Sequence, residues 1–221
     1  MSHSNRKRTF SHSFFKQEKL DRVVIDGQRH YVTPTGEKYK SVTTILGERL
    51  DKTALHEWRA RVGAIEAQRI STQAANRGTA IHSICENYLL NIDRYPEGTM
   101  PSNMDTFKRI RPLLDENIGT IYGIEHYLYS DTLRTAGATD CIAEWRGIPS
   151  VIDFKTSRRL KKLEWIDSYL LQATAYALMF EERHSMHIPQ IVIIIAVDHE
   201  DTQIFALDKD PYIDRVRELF I

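Results

Sequence analysis

Cysteine is scarce in this chain: 221 residues carry two, Cys85 and Cys141. Four-cysteine zinc or iron–sulfur ligation within one chain is therefore excluded, and a reducing compartment suits so few thiols better than a disulfide-stapled fold. Net charge is also missing, because 30 basic side chains balance 30 acidic ones. No global field draws in a polyanion, so any phosphate binding must rest on local patches. No apolar run is long enough to cross a bilayer. The strongest, Ile191 to Val197, has the length of a buried strand. The nine histidines show no His-Glu-x-x-His spacing. There is no Gly-x-x-x-x-Gly-Lys-Ser/Thr phosphate loop and no Gly-x-Ser-x-Gly elbow, which argues against zinc-protease, NTPase and serine-hydrolase chemistry. The Ser-rich basic start, with no acid before Glu18, is too short for a transit peptide and reads as a flexible end.

What remains is an ordered set of local patterns in a chain of single-domain length. Val23–Ile25 and Arg29–Val32 around Asp26-Gly27 form a hairpin pattern, and Ser41 to Leu46 is extended or enters a helix. Leu55, Trp58, Val62 and Ile65 follow the helical period from Lys52 to about Ala75. A second helix is expected from about Thr79 to Asn91, and a third carries Phe107, Ile110 and Leu114 with Pro112 as a kink. Strands follow at Gly123–Ser130, Thr135–Trp145 and Ser150–Phe154, then a helix at Trp165–Glu182. Strands at Gln190–Val197 and Gln203–Leu207 and a helix from Asp208 close the chain. The order predicts an α/β fold, a central mixed sheet flanked by helices with an N-terminal helical region. The expected layout is one domain: N-terminal strands and a flexible end to about residue 50, a helical region at 51–119 and a core at 120–221.

The chemistry concentrates in Gly137-x-x-Asp140 and Asp153-Phe154-Lys155-Thr156-Ser157. Asp153 and Lys155 are two apart in a strand and share a face. A two-residue turn at Arg146-Gly147 would pair Asp140 with Asp153. Two carboxylates, with the Phe154 carbonyl between Asp153 and Lys155, suit Mg²⁺ or Mn²⁺, and Lys155 would orient water or neutralise a phosphate. Set against this, Asp-x-Lys is common and reads equally as a strand-end ion pair. His82 and Glu86 are four apart on a helix, one turn beyond Gly78, which would allow a close backbone approach. A lone helical histidine is more often structural than ligating. Gln172 and Tyr176 form another such pair that can grip phosphates and sugars, although Tyr176 also fits a packing stripe. Glu125 either supports the site or ends a strand. Basic runs occur at Arg6-Lys7-Arg8 and at Arg158, Arg159, Lys161 and Lys162. The second run adjoins the Asp/Lys motif and is the better candidate for DNA contact.

Taken in order, Arg77-Gly78-Thr79-x-x-His82, Gly137-x-x-Asp140, Asp153-Phe154-Lys155-Thr156 and Gln172-x-x-x-Tyr176 resemble the PD-(D/E)XK nucleases, in their RecB-like branch. Upstream, Tyr31-x-Thr33-Pro34-x-Gly36, Ser41 to Leu46 and Trp58-Arg59-x-Arg61-x-Gly63 look like the exonucleases of mitochondrial genome maintenance and their phage relatives. The resemblance implies metal binding by His82, Asp140 and Asp153, a catalytic Lys155, and assistance with DNA by Gln172 and Tyr176. It implies an Mg²⁺- or Mn²⁺-dependent exonuclease on single-stranded DNA or free DNA ends. The alternatives are a structure-specific endonuclease on the same core and a DNA-binding module without catalysis. The helices before the core would form an arch admitting a strand, with Arg59, Arg61, Arg69 and Arg77 on phosphates and Trp58 in stacking or, as the favoured reading, in core packing. Thr156 and Ser157 would join the basic run as DNA contacts. No membrane association is expected, and a cytoplasmic or phage-encoded protein is favoured over a mitochondrial one.

Overall fold

The computed structural model describes residues 8–221. Strands β1 (Asp21–Ile25) and β2 (Gln28–Val32) are joined by Asp26 and Gly27, both with positive φ, the turn that follows the strand twist. After β3 (Lys38–Ser41), Ser41 caps helix α1 (Val42–Arg49), its Oγ accepting from the Thr44 amide at 3.0 Å. Helices α2 (Thr53–Val62), α3 (Ala64–Leu89) and α4 (Pro101–Asn117) follow. The core strands are β4 (Ile118–Ser130), β5 (Thr135–Trp145) and β6 (Ile148–Ser157). A short 3-10 turn (Leu163–Trp165), α5 (Asp167–His184), β7 (Gln190–Val197), β8 (Gln203–Asp208) and α6 (Asp210–Phe220) complete the chain.

The sheet runs β1-β2-β3-β5-β6-β7-β8, with β4 also on β5. Successive residues of β6 and β7 alternate between two cores. Val151, Ile191, Ile193 and Ile195 pack towards α1, α5 and α6. Ile152, Phe154, Val192 and Ile194 pack towards α3 and α4. This is the expected α/β arrangement, a mixed sheet between helical layers. One edge of β5 follows β4 along most of its length. The other edge is shared: β3 pairs in parallel at Thr135 and Ala136, and β6 pairs antiparallel from Cys141 to Trp145. Gly137 to Asp140 fall in the gap between these two ladders.

Two expectations change. The helices foreseen as separate at Lys52–Ala75 and Thr79–Asn91 are divided elsewhere, at Gly63. Gly63 takes φ 84°, a left-handed conformation that breaks the chain path, whereas Gly78 stays helical inside the 26-residue α3. The helical region is also not uniform. None of the residues of α2 is buried and α3 buries only Ala67 before Ile81, whereas α4 puts Phe107, Ile110 and Leu114 into the core. Trp58 therefore does not take the core position favoured for it.

The N-terminal segment is likewise more engaged than a flexible end. Arg6 and Lys7 lie outside the described residues. The Arg8 guanidinium donates to the Ile118 carbonyl, and Phe10 is buried edge-on to Tyr88. The amides of Ser13 and Phe15 donate to the carbonyls of Ile121 and Tyr122 at 2.8 and 3.0 Å. Among the described residues, backbone pairing with β4 joins the Arg8 bond in holding this segment to the sheet.

Candidate metal centre

Trp145 and Ile148 close the β5–β6 hairpin, with Arg146 and Gly147 at φ 53° and 79° in the two-residue turn. Counting back from that turn, the last ladder pair is Cys141 with Ile152, and the next facing positions are Asp140 and Asp153. There the strands part. β6 stays on β7 as far as Ser157, while β5 stays on β4. At the fork the Phe154 amide donates to Asp140 Oδ2 at 2.8 Å instead of to a β5 carbonyl. The fork thus brings the buried Asp153 and the partly buried Asp140 side by side.

A third carboxylate completes the row. Ile124 pairs with Cys141 and His126 with Thr139, so Glu125 on β4 lies opposite Asp140. Glu125 has φ 44°, a conformation that costs a non-glycine residue energy and is held by the surrounding sheet. Sequence reading left Glu125 between site support and strand end. The signal for it was indirect, because its place depends on a local irregularity in β4 that alternation does not reveal.

Helix α3 reaches the fork from one face. His82 Nε2 lies 2.5 Å from the Phe154 carbonyl, which can only accept, so Nε2 carries the hydrogen. Nδ1 therefore points at the cluster, 3.3 Å from Asp140 Oδ1. The Phe154 oxygen, expected to face a metal, is thus engaged by the His82 ring. Ligand atoms of His82, Glu125 and Asp140 all lie within 4.8 Å of one another. Helix α5 arrives from the other face. Gln172 Nε2 lies 3.4 Å from Asp153 Oδ1, and Lys155 Nζ lies 2.5 Å from Asp153 Oδ2 and 5.2 Å from the centre of the Tyr169 ring.

The electrostatics are those of anions crowded together. Burial, then the charges of Asp140 and Glu86, pushes the Glu125 carboxyl up to about 7. Burial and Asp140 also raise Glu86. Burial and Asp140 push Asp153 upward against the pull of Lys155. Asp140 goes the other way: burial would raise it, but the His82 bond and the charges of His82 and Lys155 hold it below the ordinary range. Burial would lower His82 and Lys155, yet the neighbouring aspartates raise both. Four carboxylates against one lysine and one histidine leave an excess of negative charge that a divalent cation would offset. The donor set of carboxylate oxygens with one imidazole nitrogen fits Mg²⁺ and, better, Mn²⁺.

Tyr176 is buried, with 4% of its surface exposed, and offers little to a nucleic acid. Its ring explains Gly137: a Cβ there would stand 2.6 Å from the Tyr176 hydroxyl and 3.0 Å from the ring. The glycine of the Gly137-x-x-Asp140 motif is therefore a packing requirement of Tyr176. Gly78 is not forced in this way, since a Cβ would meet only Thr156 Oγ1 at 3.9 Å. Arg77 is paired with Asp198 at 2.5 Å, so its guanidinium is already held. Thr156 and Ser157 lead outward along β6, and Ser157 Oγ donates to the Arg159 carbonyl at 2.6 Å. Arg158 reaches Gln73 on α3 at 3.5 Å, while Arg159 is exposed. The Lys161 backbone is bonded through both its amide and its carbonyl to the Gln203 side chain, at 2.7 and 3.0 Å.

No protein-family model matches the sequence, and no curated protein matches it. Among solved structures, a crystal structure named "Putative exonuclease" from Eubacterium rectale superposes with a TM-score of 0.46 and 14% identity, over 66% of this chain and 63% of that one. The crystal structure of SSO0001 superposes with a TM-score of 0.32 and 14% identity, over 66% of this chain and 67% of that one. Likenesses this distant carry no argument about function, which rests on the geometry of the fork between β5 and β6.

Proposed function

We propose that the protein is a metal-dependent deoxyribonuclease that hydrolyses phosphodiester bonds, acting on single-stranded DNA or free DNA ends. The observation that supports this reading is the carboxylate row Glu125–Asp140–Asp153 across three strands, with His82 Nδ1 and Lys155 Nζ converging on it. His82, Glu125 and Asp140 would hold Mg²⁺ or Mn²⁺, with Asp153 beside them. When bound, the cation supplies Lewis-acid withdrawal of charge from the phosphate and eases deprotonation of water.

The chain's own groups divide the remaining work. Lys155, raised by its aspartate neighbours, keeps its proton and serves as a fixed positive charge for the pentacovalent phosphate, not as a base. Asp153 anchors that ammonium, and Gln172 steadies Asp153. The Phe154 carbonyl fixes the His82 tautomer so that in the neutral ring, the form a metal would bind, Nδ1 would present its lone pair inward. Thr156, Ser157, Arg158, Arg159 and Lys161 lie on the path leading out of the fork and would follow the DNA backbone.

The test uses end-labelled single- and double-stranded oligonucleotides with Mg²⁺ or Mn²⁺, with and without chelator. Cleavage should need the metal, and Asp153→Ala should lower it by about a hundred- to a thousandfold, the scale of losing one preorganised group at the centre. Unchanged degradation by purified Asp153→Ala protein would refute the assignment. Short products from an end identify an exonuclease, whereas cutting of closed circles identifies an endonuclease.

A further inference from the structure

Between β6 and α5 the chain crosses nine residues that combine basic charge with exposed apolar surface. Four side chains are basic: Arg158, Arg159, Lys161 and Lys162. Three others are large, apolar and open to solvent: Leu160 at 50%, Leu163 at 44% and Trp165 at 56% exposure. An indole half in water loses hydrophobic free energy unless something covers it. The Lys162 ammonium stands 5.4 Å from the Trp165 ring centre and leaves more than half of the side chain open.

The loop is also pre-ordered. Gln203 on β8 holds both backbone groups of Lys161. Ser157 Oγ donates to the Arg159 carbonyl and accepts from the Arg159 amide at 3.2 Å. The Trp165 amide donates to the Lys162 carbonyl at 3.0 Å. A loop whose backbone is held in this way loses little backbone freedom when it binds. Its position relative to the candidate centre follows from spacing. Within α5, Tyr169, Gln172 and Tyr176 are separated by three and four residues, the repeat of one helical face, and Trp165 lies in the 3-10 turn two residues before that helix begins. Tyr176 packs on Gly137, Gln172 touches Asp153, and Tyr169 lies beside Lys155. The loop leaves β6 three residues after Lys155, and α5 returns Tyr169 to 5.2 Å from the Lys155 ammonium, so Trp165, four residues before Tyr169, is exposed on the segment that joins these two elements of the centre.

We propose that Trp165, with Leu160 and Leu163, is a stacking ledge for an unpaired nucleobase next to the candidate centre. This inference rests on the nuclease reading and narrows its substrate to nucleic acid whose bases near the scissile bond are unpaired. The basic residues take the phosphates, and the indole takes a base face, which a paired duplex does not offer. Charge complementarity selects this occupant. Glu164, 3.9 Å from Lys162, offsets one of the four cations, and a protein partner or a second copy of this neutral chain would have to neutralise the rest to reach the same apolar surface.

The experiment measures binding with the full-length Asp153→Asn protein, and with the wild type in chelator, so that nothing is cut. Single-stranded oligonucleotides with intact bases, the same oligonucleotides with abasic residues, and a blunt duplex are titrated while tryptophan fluorescence is followed. Intact single strands should quench the fluorescence, and Trp165→Ala should abolish the quenching. The substitution should weaken single-strand affinity about 5- to 150-fold, the loss of one base–aromatic stack, leave duplex affinity unchanged and remove discrimination against abasic strands. Trp165→Tyr should restore most of the affinity, which distinguishes stacking from a folding defect. Equal losses for duplex and single strand, no preference of the wild type for intact bases, or a Trp165-dependent dimer in sedimentation would each overturn the ledge. If the wild type neither binds nor cuts any DNA with Mn²⁺ present, the nuclease reading itself fails. If it cuts but Trp165→Ala behaves like wild type, only the ledge fails.

Discussion

At the scale of single residues, neighbouring charges give identical side chains opposite behaviour. His82 faces aspartates and is raised, whereas His126 is pushed down to about 4 by burial and by His184, whose Nε2 lies 3.1 Å from its own. The folded-state value of His126 is below its unfolded value near 6.5. Below pH 6.5 the unfolded chain therefore binds the proton first, and its contribution to stability falls as pH drops towards 4. Thermal melts across this window should show a smaller acid-induced drop in Tm for His126→Gln than for wild type, whatever the offset from lost packing. An equal slope in both proteins would mean that His126 charges readily in the folded state. Asp140, Asp153 and Lys155 were legible from sequence because a two-residue turn and a strand period determine their facing positions. Glu125 was not, because its placement depends on a left-handed backbone within β4. The pairing of Arg77 with Asp198 was hidden too, since it joins residues far apart in the chain.

At the scale of elements, two contacts determine how the helices serve the sheet. Gly137 on β5 and Tyr176 on α5 fit so closely that a single methyl group would displace the ring. Gly137→Ala should cost about 1–3 kcal/mol in denaturant unfolding, as overpacked core sites do, and should reduce cleavage by shifting Gln172 and Asp153. Adding Tyr176→Phe should recover part of both losses, because it removes the atom that clashes first. Additive losses in the double variant would show that the contact does not govern the site. Helix α2 is the converse case, an element with no buried residue. Trp58→Ala should change stability by less than about 1 kcal/mol, whereas Trp145→Ala, from a fully buried site, should cost about 3–5 kcal/mol. Chemical denaturation of the two variants decides this directly. The helical periodicity of α2 was readable in the sequence, but periodicity marks a face without saying whether anything covers it.

At the scale of the whole molecule, zero formal net charge makes nucleic-acid binding a local matter. Salt should then act only through the few cations that touch phosphate. Replacing Arg158 and Arg159 with alanine should flatten the dependence of log K on log salt for single strands by about 1.4, the share of two contacts, while the fold melts unchanged. A slope that does not move would place the DNA path elsewhere on the surface. The same neutrality gives the acidic cluster its significance. Without a global field, the crowding of Glu86, Glu125, Asp140 and Asp153 at one fork is a local excess that the fold maintains.

Within this chain, what the sequence by itself determined was the local order: the hairpin register that faces Asp140 with Asp153, the shared face of Asp153 and Lys155, and the α/β succession. These follow from backbone periods and turn geometry, which act over a few residues. Tertiary structure alone decided where β5 and β6 part, how α3 and α5 approach that fork from opposite faces, and why Gly137 must lack a side chain. Those outcomes depend on which distant groups compete for the same space, and close packing, not local propensity, settles that competition.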